Sequence, residues 1–350
     1  MIPSRALRLR SWSALILASL VQLLGGDSFA VFRSRDGGDT WTQASQGLPT
    51  FSRINAVHAD GSRVLAGTDA GLFRSDDEGG TWNAVSVLPG ATPRILAITV
   101  QADRIFVGTD RHGLLASVEQ GKTWERKVGL PATKIRSLHA TGTRLYAGTD
   151  ADGVQLSEDA GGNWTPLRKG WPALGQAFAL SEVGGRIHAA LYSQGLHRWN
   201  EEAGSWERIG NVVPLALAAT GGTLIAGHNP GGLHASHDAG VVWEQGRIRT
   251  APHSSLFDTT EPSQDGPVWE MAGDAERVLA GVGPGILRTT DRGRTWDRLT
   301  GGLPEEAPGI AFWVRGVRVF AAVRLPDRGV EPAKGQPAQR PTPSHPSSRR

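Results

Sequence analysis

Apolar positions in this chain come in short runs that are cut off again and again by Gly, Asp and Asn. Such runs, bounded by turn residues, predict short strands joined by tight turns. The clearest stretch is residues 52–85. Residues 54–58 read as a first strand, Asp60-Gly61 as a hairpin turn and 64–68 as a second strand. Asp69-Ala70-Gly71 then turns into a third strand, 72–75, and another turn leads to a fourth, 81–85. The same second-strand pattern returns at 104–109, 144–149, 186–191, 223–227, 277–281 and 318–323.

Each unit closes on one phrase, Ser-x-Asp-x-Gly-x-Thr-Trp or a worn form of it. It stands at 34–41, 75–82, 117–124, 157–164, 199–206, 236–243 and 289–296, with closing tryptophans 41, 42, 40, 42, 37 and 53 residues apart. A period near forty that carries four short strands is that of a propeller blade. Six complete units lie between about residues 51 and 300. Residues 309–323 supply two more strands, and residues 29–46 supply a third strand, the phrase and a fourth strand. The expectation is all-β: a single seven-bladed β-propeller of four-stranded antiparallel blades, one blade closed by both chain ends so that no open edge remains.

Composition refines this picture at the two ends. The first 30 residues read as an export signal, with Arg5, Arg8 and Arg10 before an apolar stretch at 14–24 and Ser28-Phe29-Ala30 as the cleavage site. The division expected is therefore a signal peptide at 1–30, a propeller at 31–325 and a disordered Pro/Ser/Arg-rich tail at 326–350. The chain is therefore expected to be exported, to the periplasm or beyond the cell, and to meet a membrane only if the signal is not cleaved. With no cysteine there is neither a disulfide nor a thiolate metal site. Net charge is +3 overall, but residues 1–30 carry +2 and residues 326–350 carry +3, which leaves −2 on residues 31–325. That balance gives no footprint for nucleic acid.

The repeated phrase resembles the Asp-box, or bacterial neuraminidase repeat, found in sialidases, sortilin-type receptors, xyloglucan-degrading glycosidases and photosystem II assembly factors. The resemblance covers about residues 29–323. It implies that Asp36, Asp77, Asp159, Asp238 and Asp291 bond backbone amides of their own turns. It also implies that Trp41, Trp82, Trp124, Trp164, Trp206, Trp243 and Trp296 pack between blades. Glu119, Glu201 and Ala203 depart from the phrase, so their turns should be looser. The sialidase chemistry is not carried over. It needs an arginine triad and a tyrosine nucleophile; only Tyr146 and Tyr192 are present, both in second-strand patterns, and no Arg-Ile-Pro phrase occurs. Length and repeat pattern resemble the photosystem assembly factors more closely.

In such propellers the loops from fourth to first strand and from second to third strand form the working face, opposite the boxes. Three features fall there. Arg53, Arg94 and Lys134 occupy one repeat position, with Arg136 close by, and form a basic arc over one sector. Asp69, Asp110, Asp150 and Asn229 mark the second turn of their units, as ordinary turn residues rather than a calcium site. The connection at 244–267 is about a dozen residues longer than its equivalents and holds His253, Asp258, Glu261 and Asp265. Trp269 and Trp313 follow it, either filling the core or stacking on a sugar. His234 and His237 are expected exposed beside a box. No catalytic residue, metal site or cofactor is expected. The function expected is a monomeric, non-catalytic platform that holds an acidic protein partner through Arg53, Arg94, Lys134 and Arg136. The alternative is a glycan-binding protein or a diverged glycosidase of the sialidase-like group.

Overall fold

The computed structural model describes residues 27–130, 134–150, 152–173, 175–228, 232–249, 267–283, 285–305 and 307–325. Seven sheets, each built on four antiparallel strands, stand in a ring. Their inner strands, which number the blades 1 to 7, are Ile54–Asp60, Ile95–Gln101, Ile135–Thr141, Ala177–Val183, Pro214–Thr220, Glu270–Gly273 and Gly309–Arg315. Each inner strand touches the next, and the last touches the first, so the ring is closed.

The second strands, Arg63–Thr68 in blade 1 and Ile105 to Thr109 within Arg104–Thr109 in blade 2, are almost continuously buried. Neighbouring blades cover both faces of each sheet, so these strands read as unbroken apolar runs rather than alternation. Two of their glycines are there for space, not for turning. A Cβ on Gly108 would come within 2.8 Å of Ile135 in the next blade, and one on Gly227 within 2.4 Å of Val268.

Blade 7 is assembled from both ends of the chain, in the order Thr42–Gln43, Ser28–Ser34, Arg318–Leu325, Gly309–Arg315. Its joining ladder runs from Ser28 opposite Leu325 to Ser34 opposite Val319. The expected cleavage point after Ala30 falls inside this paired strand. Residues 1–26 and 326–350, which carry the expected signal and tail, lie outside the described residues.

Two features differ from the sequence expectation. The first is at 199–206, where the phrase forms a plain hairpin between Gly195–Asn200 and Ser205–Arg208, with Trp199 opposite Trp206. Asn200 Oδ1 accepts the N–H groups of Glu202 and Ala203, because Ala203 stands where the other turns have a left-handed glycine. The second is the start of the long connection. Arg247–Arg249 is a strand, added parallel to the outer strand Thr295–Leu299 of blade 6, which therefore has five strands. The remainder of that connection, residues 250–266, lies outside the described residues.

The five intact Asp-boxes share one geometry. In the Ser75–Trp82 turn, Asp77 accepts bonds from the Ser75 hydroxyl at 2.7 Å, Thr81 N–H at 2.8 Å and the Thr81 hydroxyl at 2.9 Å, while Gly79 N–H donates to Ser75 Oγ at 2.8 Å. Asp36, Asp159, Asp238 and Asp291 likewise accept from residues two before and three or four after them. The Ser75 hydroxyl, helped by Thr81, holds the Asp77 carboxyl at about 2, below the usual carboxylate range. Among the described residues the Glu119 side chain accepts only from the Thr123 hydroxyl, at 3.0 Å, because the longer side chain overshoots the backbone amide. Of the box tryptophans, Trp41, Trp82, Trp206 and Trp296 are buried, whereas Trp124, Trp164 and Trp243 are half-buried.

Candidate functional site at the channel mouth

The boxes share one end of the ring with the first hairpins: Gly37 N–H bonds Val317 O and Glu78 N–H bonds Ser62 O. The opposite end holds the other two loop sets, tied by Asp69 N–H to Arg53 O and Asp110 N–H to Arg94 O. A register shift near the top of the inner strands of blades 1 to 5 and 7 inserts one extra residue. Asn55, Leu96, Arg136, Phe178, Leu215 and Ile310 are those residues. A bulge frees its extra residue from the ladder and re-aims it, here at the mouth of the central channel.

The basic arc and the acidic turns meet at this mouth. Arg94 Nε lies 2.6 Å from Asp69 Oδ1 of the preceding blade. Lys134 Nζ lies 3.1 Å from Asp110 and 3.5 Å from Asp150, and Arg136 pairs with Asp150 as well. The Lys134 hydrogen bond lowers the Asp110 carboxyl. Three of the four cations expected to be open are thus compensated. Arg53 is exposed and, among the described residues, its side chain makes no hydrogen bond or ion pair. Asn55 takes the inward place beside it, donating to Asp69 at 2.8 Å and to the Ile95 carbonyl at 2.9 Å.

On blades 4 and 6 the mouth carries aromatic residues. The Arg136 guanidinium lies over the Phe178 ring at 4.8 Å, and Phe178 stacks on Tyr192 at 5.2 Å. Tyr192 is not inside the second strand, as its sequence pattern implied; it follows Arg186–Leu191 and is 55% exposed. Trp269, before the inner strand of blade 6, is 50% exposed, and Phe51, two residues before Arg53, is 40% exposed. Trp313 instead packs between blades 7 and 1, edge-on to His58 at 6.2 Å. His234 is not exposed with His237: its ring meets His228 at 4.7 Å, while His237 bonds Thr223. Asn229, His253, Asp258, Glu261 and Asp265 lie outside the described residues.

Sequence reasoning passed over Glu270. It stands opposite Gly281, at the ladder position that Ala56, Ala97, Ser137, Ala179, Ala216 and Ala311 fill in the other blades. A carboxyl among alanines and one serine is the signal that could have found it. Burial pushes it up to about 7, with the Met271 amide and Arg53 pulling the other way. The folded value exceeds the unfolded one, so the folded chain holds an extra proton between about pH 4.5 and 7. The destabilisation is therefore absent below that window and complete above it. Glu270→Ala is expected to add on the order of 2 kcal/mol of stability at pH 8 and little at pH 4.5, read from thermal melts. An equal gain at both pH values would show that the ionised carboxyl is not its source.

No family model and no curated protein matches this chain. Among solved structures it is similar to YCF48 from Cyanidioschyzon merolae, at 18% identity and a TM-score of 0.59 over 83% of this chain and 100% of that one. A structure of YCF48 bound to D1 peptide matches at 19% identity and 0.59, over 80% and 95%. A GH74 xyloglucanase from Xanthomonas campestris matches at 18% identity and 0.61, over 85% of this chain and 56% of the enzyme. The fold is that of an Asp-box β-propeller. This propeller spans little more than half the length of the xyloglucanase, and the fold alone is common to a protein seen bound to a peptide and to a xyloglucanase.

Proposed function

We propose that the chain is an exported, non-catalytic propeller that binds a protein partner across its channel mouth. One observation carries the reading: the unpaired Arg53 shares this face with the exposed Phe51, Tyr192 and Trp269, whereas Asp69, Asp110 and Asp150 are each committed to a cation. Aromatic and arginine side chains on one face are the composition of interaction hot spots. Carboxylates tied into ion pairs are poorly disposed for acid–base work, which needs one group free to carry a proton. The peptide-bound YCF48 structure supports a protein partner for a propeller of this build. An acidic segment suits Arg53 at the centre of the contact.

A second reading, glycan binding, draws on the adjacency of half-exposed Trp269 and the Glu270 carboxyl at about 7, a stacking surface beside a hydrogen-bonding acid. The two readings separate by capture. The tagged full chain, expressed in its host, should retain a protein that is lost in the Arg53→Glu, Trp269→Ala double variant. Retention of that protein by the variant would refute the mouth as its binding face. Arg94 is a poorer probe, because reversing it would set two carboxylates against each other at Asp69.

A further inference from the structure

The Thr289–Trp296 turn departs from the other turns that keep the box glycine at two solvent-facing positions. Before the conserved glycine the others carry Gly37, Glu78, Gln120, Ala160 and Ala239; here stands Arg292. After that glycine they carry Asp39, Gly80, Lys122, Gly162 and Val241; here stands Arg294. The same blade bears the added fifth strand, which lays Arg247 beside Thr295. That strand is held by Arg247 N–H donating to Arg294 O at 2.9 Å and by two 2.7 Å bonds from Arg249 to Asp297. A change within the repeat and an insertion between repeats therefore bring three arginines to one outer edge, on the box end of the ring and away from the mouth.

The surface there is concave. Arg247 and Arg294 line a cavity of about 290 Å³ with Glu244 and Gln245. Arg294 and Arg292 line its neighbour, of about 450 Å³, with His237, Thr290 and Asp291, whose carboxylate is turned into its own box. Arg292 bridges to blade 5, where a Cβ on Gly221 would stand 3.0 Å from its Nε. All three arginines are exposed, and none has a carboxylate or carbonyl partner for its side chain among the described residues. The nearby acids are committed: Asp291 accepts within its own turn and Asp297 holds Arg249. Glu244 in the first cavity and Asp291 in the second are the lining carboxylates, and among the described residues neither forms an ion pair.

We infer that this edge binds a short oligosaccharide bearing sulfate or phosphate ester groups. A guanidinium presents paired N–H donors that match two oxygens of such a group, which fits arginine and not lysine at all three places. Two neighbouring cavities of this size, with Arg294 on both linings, suit a few sugar units. The −2 charge of residues 31–325 disfavours a long polyanion, whose binding needs a run of cations along its length. Among the described residues no Trp, Tyr or Phe lines either cavity, so charge supplies the affinity and salt weakens it.

The test is calorimetric titration of the full chain with a heparin-derived hexasaccharide at 50 and 300 mM NaCl. Binding should weaken about tenfold or more between the two salts. It should weaken at least tenfold in Arg292→Ala, Arg294→Gly, which installs the residues of the Ser157–Trp164 turn and so preserves the fold. Arg126→Ala, on the outer edge of blade 2, should bind as the unaltered chain does. No binding at 50 mM NaCl, or equal binding by the double variant, would overturn the inference. Equally tight binding of a 20-base-pair DNA would overturn the short-ligand assignment.

Discussion

A chain beginning at Arg35 is expected to lose the cooperative fold that a chain beginning at Ser28 retains. Ser28–Ser34 pairs along its whole length with Arg318–Leu325, in a blade that has no other third strand. It also brings Ala30, Val31 and Phe32, at 1%, 0% and 4% exposure, into the packing on both sides of blade 7. Burying a side chain the size of Val or Phe is worth about 1.5–3 kcal/mol. Adding seven lost ladder positions brings the cost near the 5–15 kcal/mol that typically separates folded from unfolded. The bare edge of Arg318–Leu325 would also invite pairing between chains. Thermal melts and gel filtration of the two chains make the comparison. A chain beginning at Val31 keeps four of the seven pairs and should fall between them. A cooperative melt at unchanged temperature for the Arg35 chain would mean that the ring does not depend on this closure.

Trp296→Ala is expected to cost about 4 kcal/mol, the range for a large aromatic removed from a core. Trp296 is fully buried between blades 5 and 6, against Ile225, Leu233 and Ala235, and donates from its indole N–H to Gly293 O at 3.1 Å. Removing it leaves a cavity and a carbonyl without a partner. Trp164→Ala should cost about half as much: that ring is half-buried and its indole N–H has no acceptor among the described residues. Urea unfolding of both variants gives the ranking. Equal costs would show that the box tryptophans act through something other than burial.

The propeller itself was legible because its evidence is local. Ser75 to Trp82 contains the donors and the acceptor of its own turn, so the phrase specifies the turn wherever it is intact. Where it was worn the outcome followed chemistry: Glu119 kept one bond, and Ala203 gave way to a hairpin. What escaped was contact between repeats. Arg94 and Asp69 each recur at a fixed place in the unit, yet they were read as separate features because their pairing joins one blade to the next. The bulges that aim Arg136 and Phe178 are invisible in an alternating pattern, since one extra residue looks like a strand one position longer. Arg247–Arg249 has only one apolar residue, Ile248, and its partner strand lies 48 residues on, so nothing local marks it as a strand.

The mouth reading rests on position, and position is what the decisive measurement should vary. Affinity capture from the host would compare the unaltered chain with Arg53→Glu, Trp269→Ala on the mouth and with Val118→Glu, Val241→Glu on the box end, two exposed residues at the far end of the ring. The account predicts one protein partner retained by the unaltered chain and by the box-end variant, and lost by the mouth variant. Loss in the box-end variant with retention in the mouth variant would contradict it and move the binding face to the other end of the propeller.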